Sequence, residues 1–307
     1  MRPALPTTPR GRALLAGAVV VVLGLLYLLV SLYIVNTALV AERNEIEEFP
    51  EDFGLRYEEV EFSPRDWPDL TLRGWWMPAQ DAKGVVVKIH GLDSTRDSSL
   101  GLSKALVDGG YSVFAFDLRG HGESDPAQMG AGIHEQDDLR GAIDYVLTHR
   151  GAEPGRVLLY GDSFGGAIAL MTAVDEPAVV GLFSDSSFTS VSDLLIQEIA
   201  DRTRAARWSA TALRPGILFV ARTAKGLDIN EVRPVDAAAL YEYPLGLVHC
   251  SADERVPLSH LAQLRAQVQA PPHMTIYERC EHSEGWEDYT DHYEAYLLNY
   301  FDERLGL

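Results

Sequence analysis

Basic side chains are scarce in this chain. Lysine and arginine number 26 against 45 aspartates and glutamates, a formal net charge of -19 over 307 residues. Phosphate backbones are bound by clustered Lys and Arg, so a nucleic-acid partner is excluded. The acidity itself reads as a means of solubility rather than a device for choosing a cationic substrate. Metal-ligand spacing is missing too: no pair among the 9 histidines stands at the intervals that hold an ion, and no metal is expected. No internal repeat or low-complexity tract interrupts the sequence. The length suits an anchor plus one large domain.

A long hydrophobic run is present. From Ala13 to Val35 only Ser31 and glycines interrupt it, and at 1.5 Å per residue it crosses the roughly 30 Å hydrocarbon layer. A signal peptide is the rival reading, but its apolar region is usually about 7 to 15 residues, and the stretch from Ala38 to Ala41 is a weak cleavage candidate. Arg2, Arg10 and Arg12 precede the run, whereas Glu42, Glu45, Glu47 and Glu48 follow it with one Arg43. The positive-inside rule then puts the N-terminus in the cytoplasm and the rest of the chain outside. The expected organisation is a cytoplasmic segment (1–12), a transmembrane anchor (13–35), an acidic linker (36–53) and a catalytic domain (54–307).

Within that domain, Tyr57 to Phe62 and Leu70 to Met77 read as an opening antiparallel pair around a Pro and Asp turn. Short apolar runs follow at Gly84–Ile89, Tyr111–Phe116, Arg156–Tyr160, Val179–Phe183, Leu245–His249 and Met274–Glu278, with helix-compatible segments between them. This alternation predicts an α/β fold with a mostly parallel central sheet flanked by helices. Tyr289, Tyr293, Tyr296, Leu297, Tyr300 and Phe301 share one helical face near the C-terminus. They are read as core packing, not as a cofactor site, and no cofactor is expected.

Gly161, Asp162, Ser163, Phe164 and Gly165 form G-x-S-x-G between a strand and a small-residue helix. A serine on such a turn is held in a strained backbone geometry, and a Cβ at either flank would crowd the neighbouring chain. The serine at that position, in place of a carboxylate, argues against a dehalogenase. A serine hydroxyl needs a base, itself oriented by an acid. Asp253, after the run Leu245–His249, and His282, after the last one, stand in the order Ser, acid, His. Asp185, at the end of Val179–Phe183, is the rival acid, and Glu254 is read as a loop residue. The other histidines are assigned bland places: His249 inside a strand, and His134, His149, His260, His273 and His292 on or beside helices or turns. The oxyanion donors are expected to be the backbone N–H groups of Phe164 and Leu92, the latter after His90-Gly91.

With His90-Gly91, Asp117-Leu118-Arg119-Gly120-His121-Gly122-Glu123-Ser124, the serine elbow, Asp253 with Val256-Pro257, and His282, the chain resembles the α/β-hydrolase superfamily in its serine aminopeptidase-like, membrane-anchored BEM46-like branch. The resemblance spans about Tyr57 to Asp302. It implies an α/β-hydrolase fold, and it makes the Arg119–Gly122 turn a structural landmark rather than a triad member. Cys250 and Cys280 depart from the pattern, standing where such enzymes commonly have small residues. They are the chain's only cysteines. They are either a disulfide clamping the acid and base loops in an oxidising compartment or two buried thiols. Ser186 to Val235 is read as a modest cap whose apolar residues either face substrate or pack as ordinary helix.

The expected function is hydrolysis of a carboxylic ester or thioester through an acyl-enzyme. Alternatives are a serine peptidase acting on short peptides and a catalytically silent binding module. The expected partners are a small ester, thioester or peptide substrate and the membrane.

Overall fold

The computed structural model describes residues 8–194 and 207–307. The chain divides into two compact units, one made of residues 1–39 and 195–229, the other of 40–194 and 230–307.

In the larger unit, eight strands form one sheet: β1 (Glu58–Phe62), β2 (Leu72–Met77), β3 (Gly84–Ile89), β4 (Tyr111–Phe116), β5 (Val157–Asp162), β6 (Val179–Asp185), β7 (Gly246–Cys250) and β8 (His273–Tyr277), in the order β1-β2-β4-β3-β5-β6-β7-β8. β1 pairs with β2 and β2 with β4 antiparallel, and every pairing from β4 through β3 to β8 is parallel. Among the described residues, the intervening helices include α2 (Leu100–Asp108), α3 (Glu135–His149), α4 (Ser163–Thr172), α6 (Pro234–Ala238), α7 (Ser259–Gln267), α8 (Gly285–Asp288) and α9 (Thr290–Leu305), and α5 (Arg207–Lys225) belongs to the smaller unit.

Alternation along the strands sorts the core onto the two faces. Val85, Val87 and Ile89 of β3 join Leu139, Ile143 and Val146 of α3 and Ala167 to Leu170 of α4. Val86, one position out of step, joins Leu102 and Leu106 of α2 and Tyr293, Leu297 and Phe301 of α9. Both faces are covered, so β3 is buried throughout. The aromatic stripe of α9 packs as expected: the Phe183 ring lies 5.7 Å from that of Tyr293 and 5.8 Å from that of Tyr300. The Tyr300 hydroxyl accepts from Leu182 N–H at 3.1 Å and lies 2.9 Å from Pro244 O.

β5 and β6 run two residues past their apolar stretches, because backbone pairing continues through Gly161↔Ser184 and Asp162↔Asp185 whatever the side chains are. His273, expected on a helix or turn, is instead the first residue of β8, paired with Gly246. The acidic stretch read as a linker lies along the larger unit from Val40 onward. Glu42 N–H donates to Asp93 Oδ1 at 2.9 Å, Glu47 N–H to Asp97 Oδ2 at 2.8 Å, and Phe49 packs on Trp75 with ring centroids 5.7 Å apart.

In the smaller unit, α1 (Pro9–Ala38) is long and apolar enough to cross a membrane by length and composition. It overruns the apolar segment at both ends; at the N-terminal one Thr8 caps it, its hydroxyl accepting from Gly11 N–H at 3.1 Å, and Pro9 suits the first turn. α5 is a second helix among the described residues of this unit. Part of the stretch read as a cap, residues 195–206, lies outside the described residues.

Candidate active site

Ser163 ends β5 and begins α4, with φ at +50°. A serine is rarely found in that left-handed region, and the surrounding packing holds it there. The elbow glycines explain how. A Cβ on Gly161 would meet Gly165 C and O at 2.6 Å, and one on Gly165 would run into the carbonyls of Ile89 and His90. α4 therefore begins in backbone contact with the end of β3, and its free N–H groups open toward the serine.

Three side chains from separate strand ends meet here. His282 Nε2 lies 2.7 Å from Ser163 Oγ, and His282 Nδ1 lies 2.7 Å from Asp253 Oδ2. The second oxygen of Asp253 accepts from Val256 N–H at 2.7 Å. Burial raises the Asp253 pKa, but hydrogen bonds from His249 and His282 outweigh that and hold the carboxyl below its ordinary range. Asp253 is ionised at neutral pH.

Asp185, the rival acid, is occupied elsewhere: its oxygens accept from the Ser186 hydroxyl at 2.8 Å and the Tyr293 hydroxyl at 2.6 Å. Burial pushes its pKa upward. Glu254 is exposed. His249, assigned only to a strand interior, proves to lie beside the acid, with Nε2 2.7 Å from Val256 O and 3.4 Å from Asp253 Oδ2. The sequence carried no usable signal for it, because the bend that brings residue 253 back over the strand end is not written in the spacing.

Leu92 and Asp93 are the central residues of a turn closed by Ser94 N–H to Gly91 O at 3.3 Å. A Cβ on Gly91 would sit 3.5 Å from Ser163 Cβ, so the chain reaches Leu92 directly from the elbow. Phe164, the other expected oxyanion donor, is the residue after the serine in the first turn of α4. Two buried imidazoles hold the Leu92 turn. His90 Nε2 accepts from Leu118 N–H at 3.0 Å, which leaves Nδ1 to donate to Gly91 O at 2.7 Å. His121 Nε2 accepts from Asp93 N–H at 3.3 Å and its Nδ1 donates to Arg119 O at 3.0 Å. Each ring uses one nitrogen as an acceptor and must be neutral to do so. Burial pushes both pKa values down to about 4.

Cys250 and Cys280 are disulfide-bonded, across a sequence separation of 30. The bond joins the end of β7 to the segment before His282, where Ser251 N–H also donates to Tyr277 O at 2.8 Å and Ala252 N–H to Cys280 O at 3.2 Å.

With this geometry in place, comparison with known proteins gives consistent relatives. A sequence model of the family described as serine aminopeptidase, S33, matches residues 80–232. The protein YfhR of Escherichia coli O157:H7 is 27% identical over 257 residues, covering 81% of this chain and 82% of that one. Protein bem46 of Schizosaccharomyces pombe is 25% identical over 180 residues, covering 57% of this chain and 59% of its own. Among solved structures, the Pyrococcus furiosus esterase Pf2001 superposes with a TM-score of 0.68 at 18% identity, over 86% of this chain and 98% of that one. At that identity the likeness concerns the fold.

Reducing the disulfide reopens a loop of about 30 residues and costs about 3–4 kcal/mol by the chain-entropy relation; Cys250→Ser/Cys280→Ser protein in detergent should show that loss as a lower denaturation midpoint. The neutral histidines predict an acid sensitivity. Their folded pKa values lie below the unfolded value near 6.5, so their stabilisation is complete above about pH 6.5 and is lost as pH falls toward 4. Asp138 and Asp162, raised by burial to about 6, act in the opposite sense but are common to both proteins compared. His121→Asn should therefore lose on the order of 2 kcal/mol less than the parent between pH 7.5 and 4.5, measured by denaturant titration at each pH.

Proposed function

We propose that this chain, which belongs to the α/β-hydrolase superfamily in its serine aminopeptidase-like and BEM46-like branch, is a membrane-anchored serine hydrolase that cleaves carboxylic esters or thioesters. The observation that carries the proposal is the unbroken relay of two 2.7 Å contacts from Ser163 through His282 to Asp253.

In this reading Ser163 Oγ attacks the carbonyl carbon while His282 Nε2 takes its proton, and the ionised Asp253 supports the imidazolium that forms. The backbone N–H groups of Phe164 and Leu92 stabilise the oxyanion; each such donor is worth about 10²–10³ in rate. Collapse of the tetrahedral intermediate expels the alcohol or thiol, which receives the proton from His282 and leaves an acyl group on Ser163. Water, deprotonated by the same imidazole, then attacks that ester and releases the carboxylic acid.

α1 supplies the anchor. The arginines before it and the glutamates after it favour a cytoplasmic N-terminus and an extracytoplasmic catalytic unit. The disulfide favours the same side.

A peptidase acting on short peptides is the second reading, favoured by the description of the matching family. A panel of p-nitrophenyl esters and aminoacyl-p-nitroanilides separates the two, and turnover of the anilides alone would reverse the order. A fluorophosphonate probe should label the parent but not Ser163→Ala. Absence of labelling on folded parent protein would favour a silent binding module instead. Asp253→Asn should retain labelling at a much reduced rate and lose roughly 10⁴-fold in kcat on the best ester.

A further inference from the structure

α1 and α5 touch at an unusual joint. α5 carries Pro215, which has no N–H to give to the helix ladder. One residue on, Gly216 N–H donates to the Tyr27 hydroxyl at 2.9 Å, and that hydroxyl donates to Ala212 O at 3.0 Å. Gly216 and Ala212 are the i and i−4 partners that an uninterrupted helix would join directly. A phenol from α1 has thus entered the ladder of α5. The backbones are close as well, since a Cβ on Gly216 would collide with Ser31 and the Tyr27 ring.

The joint fixes the depth of α5. Tyr27 lies inside the apolar run that ends at Val35, about 12 Å before that end at 1.5 Å per residue. Whatever touches Tyr27 from α5 therefore sits within the outer part of the bilayer when α1 spans it. The surface of α5 suits that depth. Gly216, Ile217, Val220 and Ala221 are buried, whereas Trp208, Ala212, Pro215 and Phe219 are exposed. These four recur at intervals of four, three and four, which places them on one side of the helix. Trp208 is 76% exposed and Phe219 57%. Beside a membrane span such a stripe extends the lipid-facing apolar surface. Arg222, one further step of three along the same side, and Lys225 lie in the last turn, with Arg222 Nη1 3.4 Å from Asp228 Oδ2; long stems let such groups reach the headgroups from the edge of the hydrocarbon.

We infer that α5 is a second membrane element which does not cross the bilayer but lies in its outer leaflet against α1, with Trp208 and Phe219 directed at lipid. The inference rests on the reading of α1 as an uncleaved anchor, and its test separates the two. The full chain and its Trp208→Phe variant are reconstituted into phosphatidylcholine vesicles with and without acyl chains brominated at positions 9 and 10, then floated on a density gradient. Both proteins should float with the vesicles. Bromination should lower the tryptophan emission assigned to residue 208, obtained as parent minus variant, at least twofold, while the emission of the variant, from the other four of the chain's five tryptophans, stays unchanged. A protein that floats while its residue-208 emission is unaffected by bromine overturns the placement of α5 and leaves the anchor standing. A protein that fails to float overturns the anchor and the placement together.

Discussion

The larger unit is organised around one close approach: the first turn of α4 against the end of β3. Gly165 lies on the carbonyls of Ile89 and His90, and Gly161 lies on Gly165 itself, so no side chain fits between the strands and the helix at this point. Ser163 is forced to φ +50° by that contact. Its hydroxyl is thereby presented above the sheet edge, and the turn containing Leu92, which leaves β3 at the same spot, is drawn to within a side chain of it. Similar positive φ values recur at Asp93, Ser186 and Ser283, each just beyond the end of a parallel strand or beside His282. Among the described residues, four of the eight positive-φ non-glycine positions, Asp93, Ser163, Ser186 and Ser283, thus lie at this rim, as expected of a surface shaped to hold groups in fixed relation.

Electrostatics then distinguishes side chains of the same kind. Asp162, Asp185 and Asp253 all lie near the serine, and burial works against the charge of each. For Asp162, pushed up to about 6, the attraction of Lys88 is insufficient to reverse the effect. Asp185 is likewise raised, in spite of two hydroxyl donors. Only Asp253, with two imidazoles and a backbone N–H on its oxygens, is held below the ordinary carboxylate range. The histidines divide in the same way: His90 and His121 are desolvated and neutral, serving as fixed struts, whereas His282 is half-buried with one nitrogen on the acid and the other on the serine.

Much of this was legible in the sequence, for identifiable reasons. Strands such as β3 and β4, buried throughout, with one polar residue each (Lys88 and Ser112) and glycine at or just before their starts, read as strands from their apolar runs alone. The elbow announces itself because sterics permit so few residues at positions 161 and 165. The order Ser, acid, His placed Asp253 and His282 at strand ends without any knowledge of distance. What stayed hidden depends on the path of irregular chain. The partnership of His249 with Asp253 arises from a bend after β7, and the docking of residues 40–53 arises from hydrogen bonds to Asp93 and Asp97, which any acidic stretch of similar length would fail to advertise. The outcome for Cys250 and Cys280 needed the pairing of β7 with β8, since only that register brings the two strand ends together.

That pairing also shows where the site is mechanically weakest. Ser163 comes from the middle of the sheet, between β3 and β6, but Asp253 and His282 follow its last two strands, and β8 is an edge strand whose side chains are mostly only half-buried. An edge strand has one hydrogen-bonded neighbour and little apolar surface to keep it in register. The disulfide sits at this point, tying the end of β7 to the turn that carries His282. Such a bond persists only where thiols are not kept reduced. Under the proposed topology the geometry of the base therefore depends on the side of the membrane that the unit occupies: the charge asymmetry around α1 delivers the chain to an oxidising compartment, and the covalent bond formed there holds the imidazole over the serine.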